Sequence, residues 1–210
     1  IILPLIIKAR NADPVQDTTK VLWSGALYFC LIGAGFMSVE IALIQRLSVF
    51  LGHPTYALGI LLFTIILSTG LGSFMSEYLP LTRPPWVFVY PIITALAILL
   101  VRFVLLFVLS SMITSPMLNK ILVSILVIFP MGVLMGFFFP MGMRLVRSAA
   151  ATETPWYWAL NGIFGVLFSA LAVFFSIYFG IATNFYIGVA CYTILFTCLP
   201  KMYRAAQVNQ

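Results

Sequence analysis

The chain has 210 residues, of which 63% are hydrophobic and only 8% charged. A soluble domain carries about 25% charged and roughly 45–50% apolar residues, so this chain cannot cover its surface with polar groups, and lipid is its solvent over most of its area. The net charge of +6, from 11 Lys and Arg against 5 Asp and Glu, sits mostly in the breaks between apolar runs and reads as topology, with cations facing anionic headgroups; no basic cluster with interleaved aromatics makes a phosphate footprint, which argues against a nucleic-acid partner.

In chain order, Ile1–Ile7 is apolar but too short to cross a bilayer. It reads as the tail of a truncated span, so the chain is expected to belong to a longer protein. Lys8–Lys20 is a polar linker, and residues 1–20 form a stub plus linker. Six apolar segments follow, at about Val21–Ile44, Thr55–Ser76, Trp86–Leu109, Ile121–Met143, Trp156–Phe179 and Ile181–Leu199. A helix needs roughly 20 residues to cross about 30 Å of hydrocarbon, and each segment is near that length. Polar alternation over about ten residues, the mark of a barrel strand, is absent. The predicted fold is all-α: a polytopic transmembrane bundle of six spans over residues 21–199, with a tail at 200–210.

The breaks carry their own chemistry. Gly52-His53-Pro54, Pro80 with Arg83-Pro84-Pro85, and Ser110, Ser115, Pro116 and Asn119 separate the first four segments. Pro155 suits a helix start, and Gly180 makes the last connection very tight. Trp23, Trp86, Trp156, Tyr157 and Trp158 crowd the borders, where amphipathic rings sit between headgroups and tails. Eight cations (Lys8, Arg10, Lys20, Arg83, Arg144, Arg147, Lys201 and Arg204) fall on one side and two, Arg46 and Lys120, on the other, with Arg102 inside the third segment. By the positive-inside rule the linker and the C-terminus are expected in the cytoplasm.

Glu40 is the only acidic residue inside a span. A charge at the bilayer centre costs about 2.5–3.5 kcal/mol on insertion scales, so Glu40 is expected to face protein or water, to be protonated, or to have a cationic partner. Arg46 is six residues on, roughly 9 Å along the axis, which leaves Arg102 or Arg144 as mates from other helices. A proton or substrate relay and a buried contact fixing helix packing are both open. Arg102 either pairs with Glu40 or snorkels to an interface. His53, the lone histidine, is expected to be a turn residue, or at most one axial ligand to a haem; Cys30, Cys191 and Cys198 form no CxxC pair and read as small hydrophobes. No cofactor is expected in this chain.

In the fourth segment Gly132 and Gly136 form a GxxxG step for close helix approach, and Pro130 and Pro140 kink or break the helix. Broken helices also recur at transporter sites. Ser68/Gly72/Ser76 and Gly165/Ser169 show similar small-residue spacing, and Asn161 can hydrogen-bond across helices. There is no P-loop, no GxGxxG after a strand and no Ser/His/Asp set, so no catalytic residue is assigned.

Gly35-Phe36-Met37-x-Val39-Glu40 through Gln45-Arg46, with Leu51-Gly52-His53-Pro54-x-Tyr56-Ala57-Leu58, resembles the C-terminal membrane block of spermidine-synthase-like bacterial membrane proteins. Gly70-Leu71-Gly72-Ser73, Met135-Gly136 with Phe139 to Arg144, and Trp158-Ala159-Leu160-Asn161-Gly162 follow the same pattern in the same order, over about Leu27 to Leu171. The resemblance implies an upstream Rossmann-like, aminopropyltransferase- or methyltransferase-like domain that holds the nucleotide-binding glycines and catalytic acid. It also implies a bacterial inner-membrane location. Three functions are open: the one the resemblance implies, a membrane module serving as anchor, scaffold or access route for an apolar or polyamine substrate; alternatively an accessory subunit of a respiratory or photosynthetic complex; or a small-molecule transporter. The expected partners are the lipid bilayer and either other membrane subunits or that upstream domain.

Overall fold

A computed structural model of the chain describes residues 16–147 and 154–208. The stub Ile1–Ile7 and the linker up to residue 15 lie outside the described residues. Among the described residues there are seven helices: α1 Gln16–Leu51, α2 Pro54–Met75, α3 Trp86–Ser111, α4 Met117–Gly136, α5 Phe138–Arg147, α6 Thr154–Phe179 and α7 Ala182–Val208. Among the described residues there is no strand. The helices supply six stretches long and apolar enough to cross a membrane, α4 and α5 together counting as one. The protein is an integral membrane protein with an all-α bundle.

Three boundaries differ by five residues or more from those read off the sequence. α1 runs through Gln45 and Arg46 to Leu51, because both are good helix formers and a helix need not stop where the polarity rises. It ends only at Gly52, whose φ of +73 a Cβ disfavours, and at His53, held extended ahead of Pro54. Its start at Gln16 also takes in the last five residues assigned to the linker. At the other end, α7 continues through Pro200 to Val208. Proline removes one intrahelical bond, but Leu199, Met202 and Ala206 recur on one buried face and hold the helix to the bundle. Residues 200–208 are therefore a packed helix end and not a tail.

The fourth span breaks at Phe137, between α4 and α5. Pro140 lacks the N–H that would bond the carbonyl four residues back, and the Phe137 N–H turns tighter, donating to Leu134 at 3.3 Å. Pro130, by contrast, sits inside an unbroken α4. Tyr28 braces the break: its hydroxyl donates to the Phe138 carbonyl at 2.8 Å. Its ring occupies the space that a Cβ on Gly142 would need.

α1 is the most buried span and α6 the least. α6 and α7 flank α1, α3 packs on α7, and α2 packs on both α1 and α4. The α2–α4 seam is made by missing side chains. A Cβ on Gly72 would strike the Val133 carbonyl oxygen, one on Gly136 the Thr69 carbonyl oxygen, and one on Gly132 the Ser68 hydroxyl. In lipid, helices gain little from burying apolar area against each other, so such backbone-close contact is what joins them. Gly180, at φ +87, makes the tight α6–α7 turn.

Two cations close helix ends. Arg144 on α5 donates from Nη1 to the Ser76 carbonyl and from Nη2 to the Ser76 hydroxyl, both at 2.8 Å. Lys120 on α4 donates to the Phe50 carbonyl at 3.3 Å. Each meets the free carbonyls and the negative end of a helix dipole, so Lys120 secures α1 and Arg144 secures α2.

Candidate functional site: a cleft open at mid-membrane depth

Glu40 is buried, with 8% of its surface exposed. By helical period it shares the α1 face of Gly33 and Met37. Among the described residues its carboxylate makes no ion pair and no hydrogen bond. The expected guanidinium partners are elsewhere. Arg144 is committed to Ser76. Arg102 lies over the rings of Phe103, at 4.7 Å, and Tyr186, at 4.8 Å, which places it against α7 in a cation–π arrangement. Its Nε is buried with no hydrogen-bond partner. Arg46 is half-buried and forms no ion pair among the described residues.

His53 is the N-cap of α2: its Nδ1 accepts from the Thr55 N–H at 3.4 Å, and its ring meets Tyr56 edge-on at 5.5 Å. Gln45 belongs to a polar node. The Ser176 hydroxyl donates to Gln45 Oε1 at 2.6 Å, and Asn184 Nδ2 donates to the Ala172 carbonyl at 2.7 Å and to Ser176 Oγ at 2.8 Å. The node ties α1, α6 and α7 together at one end of the bundle. Asn184 is fully buried and its Oδ1 has no partner. Neither Asn184 nor Ser176 was singled out from the sequence. The available signal was a polar residue on each side of the Gly180 turn, close enough to meet once the hairpin closes.

A cavity of about 620 Å3 lies between α1, α2, the α4–α5 break and α6. That is within the roughly 300–1,000 Å3 of small-molecule sites. Its floor is Phe138 and Tyr192, both about 1% exposed; its rim is Ile66 on α2, 67% exposed, and Val166 on α6, 74% exposed. α2 and α6 each pack on α1 but form no extended seam with each other, and the mouth lies between them. Five glycines line it, Gly33, Gly70, Gly136, Gly162 and Gly165. At Gly33 a Cβ would strike the Asn161 carbonyl, whereas Gly70 and Gly162 face open space. Gly165 makes only ordinary contact with Met37, at 3.5 Å.

The polar lining is sparse. Thr69 and Ser169 spend their hydroxyl protons on Ile65 and Val166 carbonyls of their own helices. Asn161 and Ser73 also line the cleft, and among the described residues their side chains make no hydrogen bond. A second cavity of about 270 Å3, on the far side of α6, is lined by apolar side chains with Cys30 and Cys191 and has no comparable polar group. The three cysteines are free thiols, and among the described residues no three His, Cys, Asp or Glu side chains gather as a metal site.

The structure brings Gly136, Gly165 and Asn161 to one cleft. It leaves Arg102, His53 and Arg144 apart from it, and Glu40 is not among its lining residues. Comparison with protein-family profiles, with curated proteins and with solved structures finds no match to this chain.

Proposed function

We propose that this chain is the membrane module of a spermidine-synthase-like bacterial protein, a non-catalytic scaffold whose cleft gives an apolar substrate access from the bilayer. One observation carries the reading. Apart from Leu51–Leu58, which does not line the cleft, the segments that bear the resemblance, Gly35–Arg46, Gly70–Ser73, Met135–Arg144 and Trp158–Gly162, lie far apart in sequence. Each contributes residues to the wall of the same cleft: Phe36 and Met37, Gly70 and Ser73, Gly136 and Phe139, and Asn161 and Gly162. In this reading the chemistry belongs to an upstream domain. The host membrane is the bacterial inner membrane, with the linker and the C-terminus on its cytoplasmic side.

Mass spectrometry of the protein extracted from native membranes tests it. The expected result is a nucleotide-binding domain in the same polypeptide, with tags at both ends of the bundle reached only from the cytoplasm. A chain that ends shortly before Ile1, or ends on opposite faces, overturns it. A second reading, an accessory subunit docked on a larger complex, is favoured by the sparse cover on α6; stable copurification with cofactor-bearing subunits would support that one instead. The transporter reading loses support, because Glu40 is not among the cleft-lining residues.

A further inference from the structure

The position of the cleft along the membrane normal restricts what can enter it. Val166 lies at the middle of α6, and Ile66 close to the middle of α2. The mouth therefore opens into hydrocarbon, about 15 Å from either polar boundary. An aqueous solute does not reach it sideways, whereas a molecule dissolved in the bilayer does.

The two unpartnered polar groups sharpen this. Asn161 is five residues before Val166, roughly 8 Å along α6, and Ser73 is seven residues after Ile66, roughly 10 Å along α2. α2 and α6 run in opposite directions across the bundle, so both displacements are toward the same membrane face. Asn161 therefore remains inside the hydrocarbon layer, short of the depth at which phospholipid esters lie, while Ser73, two residues from the end of α2, lies at the edge of that layer. An unpaired amide inside the layer is costly, and an ordinary acyl chain has nothing to offer it. Asn161 Oδ1 sits against Gly33, 3.1 Å from where its Cβ would be, which leaves the amide N–H groups and the Ser73 hydroxyl as donors.

The geometry points to the cleft as a binding site for a membrane-dissolved, long-chain lipophile carrying a carbonyl group, which enters between α2 and α6 and accepts hydrogen bonds from Asn161 and Ser73. This inference rests on the access-route reading and names its substrate class.

The test uses the protein in lipid nanodiscs and two photoreactive probes: a diazirine-tagged C18 ketone and the matching diazirine-tagged C18 alkane. The ketone is expected to label peptides of α2 and α6 about fivefold more than the alkane, the margin of roughly one membrane hydrogen bond. N161L should bring the ketone down to the alkane level. G162L should block both probes, since Gly162 lines the cleft and a Cβ built there has no neighbour within 4 Å. Equal labelling by the two probes, or ketone labelling indifferent to G162L in a variant that stays folded, overturns the site. These outcomes do not depend on an upstream domain or on which side the termini face, so failure here is separable from failure of the module reading.

Discussion

The α2–α4 seam and the cleft beside it are both rich in glycine, yet glycine does opposite things at Gly72 and at Gly70, two residues apart on α2. At Gly72 and Gly136 the missing Cβ is filled by a carbonyl oxygen of the facing helix, and the two helices lock. At Gly70 and Gly162 nothing fills it, and the result is a cavity. In lipid, association depends on close packing and hydrogen bonds more than on burying apolar surface. A small residue is therefore a contact only where another backbone arrives to use it.

Gly72→Leu should break the comparison most severely. The obstructing atom is backbone and cannot swing away, so the loss falls at the upper end of the roughly 1–3 kcal/mol of overpacking. It would be read as a lowered unfolding midpoint of the detergent-solubilised protein; an unchanged midpoint would mean the seam is not as close as drawn. Arg144→Ala comes next. It removes two charge-assisted bonds at the end of α2, and because the guanidinium is half-exposed the expected cost is about 1–2 kcal/mol, at or below the range for buried charged bonds. Faster backbone amide exchange confined to the last turn of α2 would locate the effect.

Asn184→Leu sharpens the contrast on the other side of α1, where packing is replaced by hydrogen bonding. Loss of its two bonds should cost roughly 0.6–1.7 kcal/mol and loosen α6 against α7, measurable as increased disulfide trapping between cysteines placed on the two helices. Glu40→Leu should leave the unfolding midpoint unchanged or raise it, since no partner of the carboxylate is lost and an ionisable group leaves the hydrocarbon. A clear fall would reveal a partner. The smallest effect is expected from Gly162→Leu, which should cost no stability while closing the cleft.

Much of this was legible in the sequence. The apolar runs of about twenty residues announced the six spans, and Gly52, Gly180 and Pro140 marked turns and a break that the structure keeps, because steric limits on φ and a missing N–H act locally. His53 as a turn residue was equally local. The ends of α1 and α7 were misjudged, since a helix stops where its backbone bonds stop and not where hydropathy falls. The pairing of Glu40 with Arg102 or Arg144 was plausible from residue type alone, but Arg144 closes the end of α2 and Arg102 lies against Tyr186.

Sequence by itself determined that lipid is the solvent, that helices are the elements, and roughly where each one crosses, because these follow from transfer free energy and backbone saturation summed along the chain. Which glycines touch a neighbouring backbone and which border a void, and where each buried polar group finds a partner, was decided only by the tertiary structure. Those outcomes depend on the distance between helices remote in sequence, and no residue carries that distance in its own side chain.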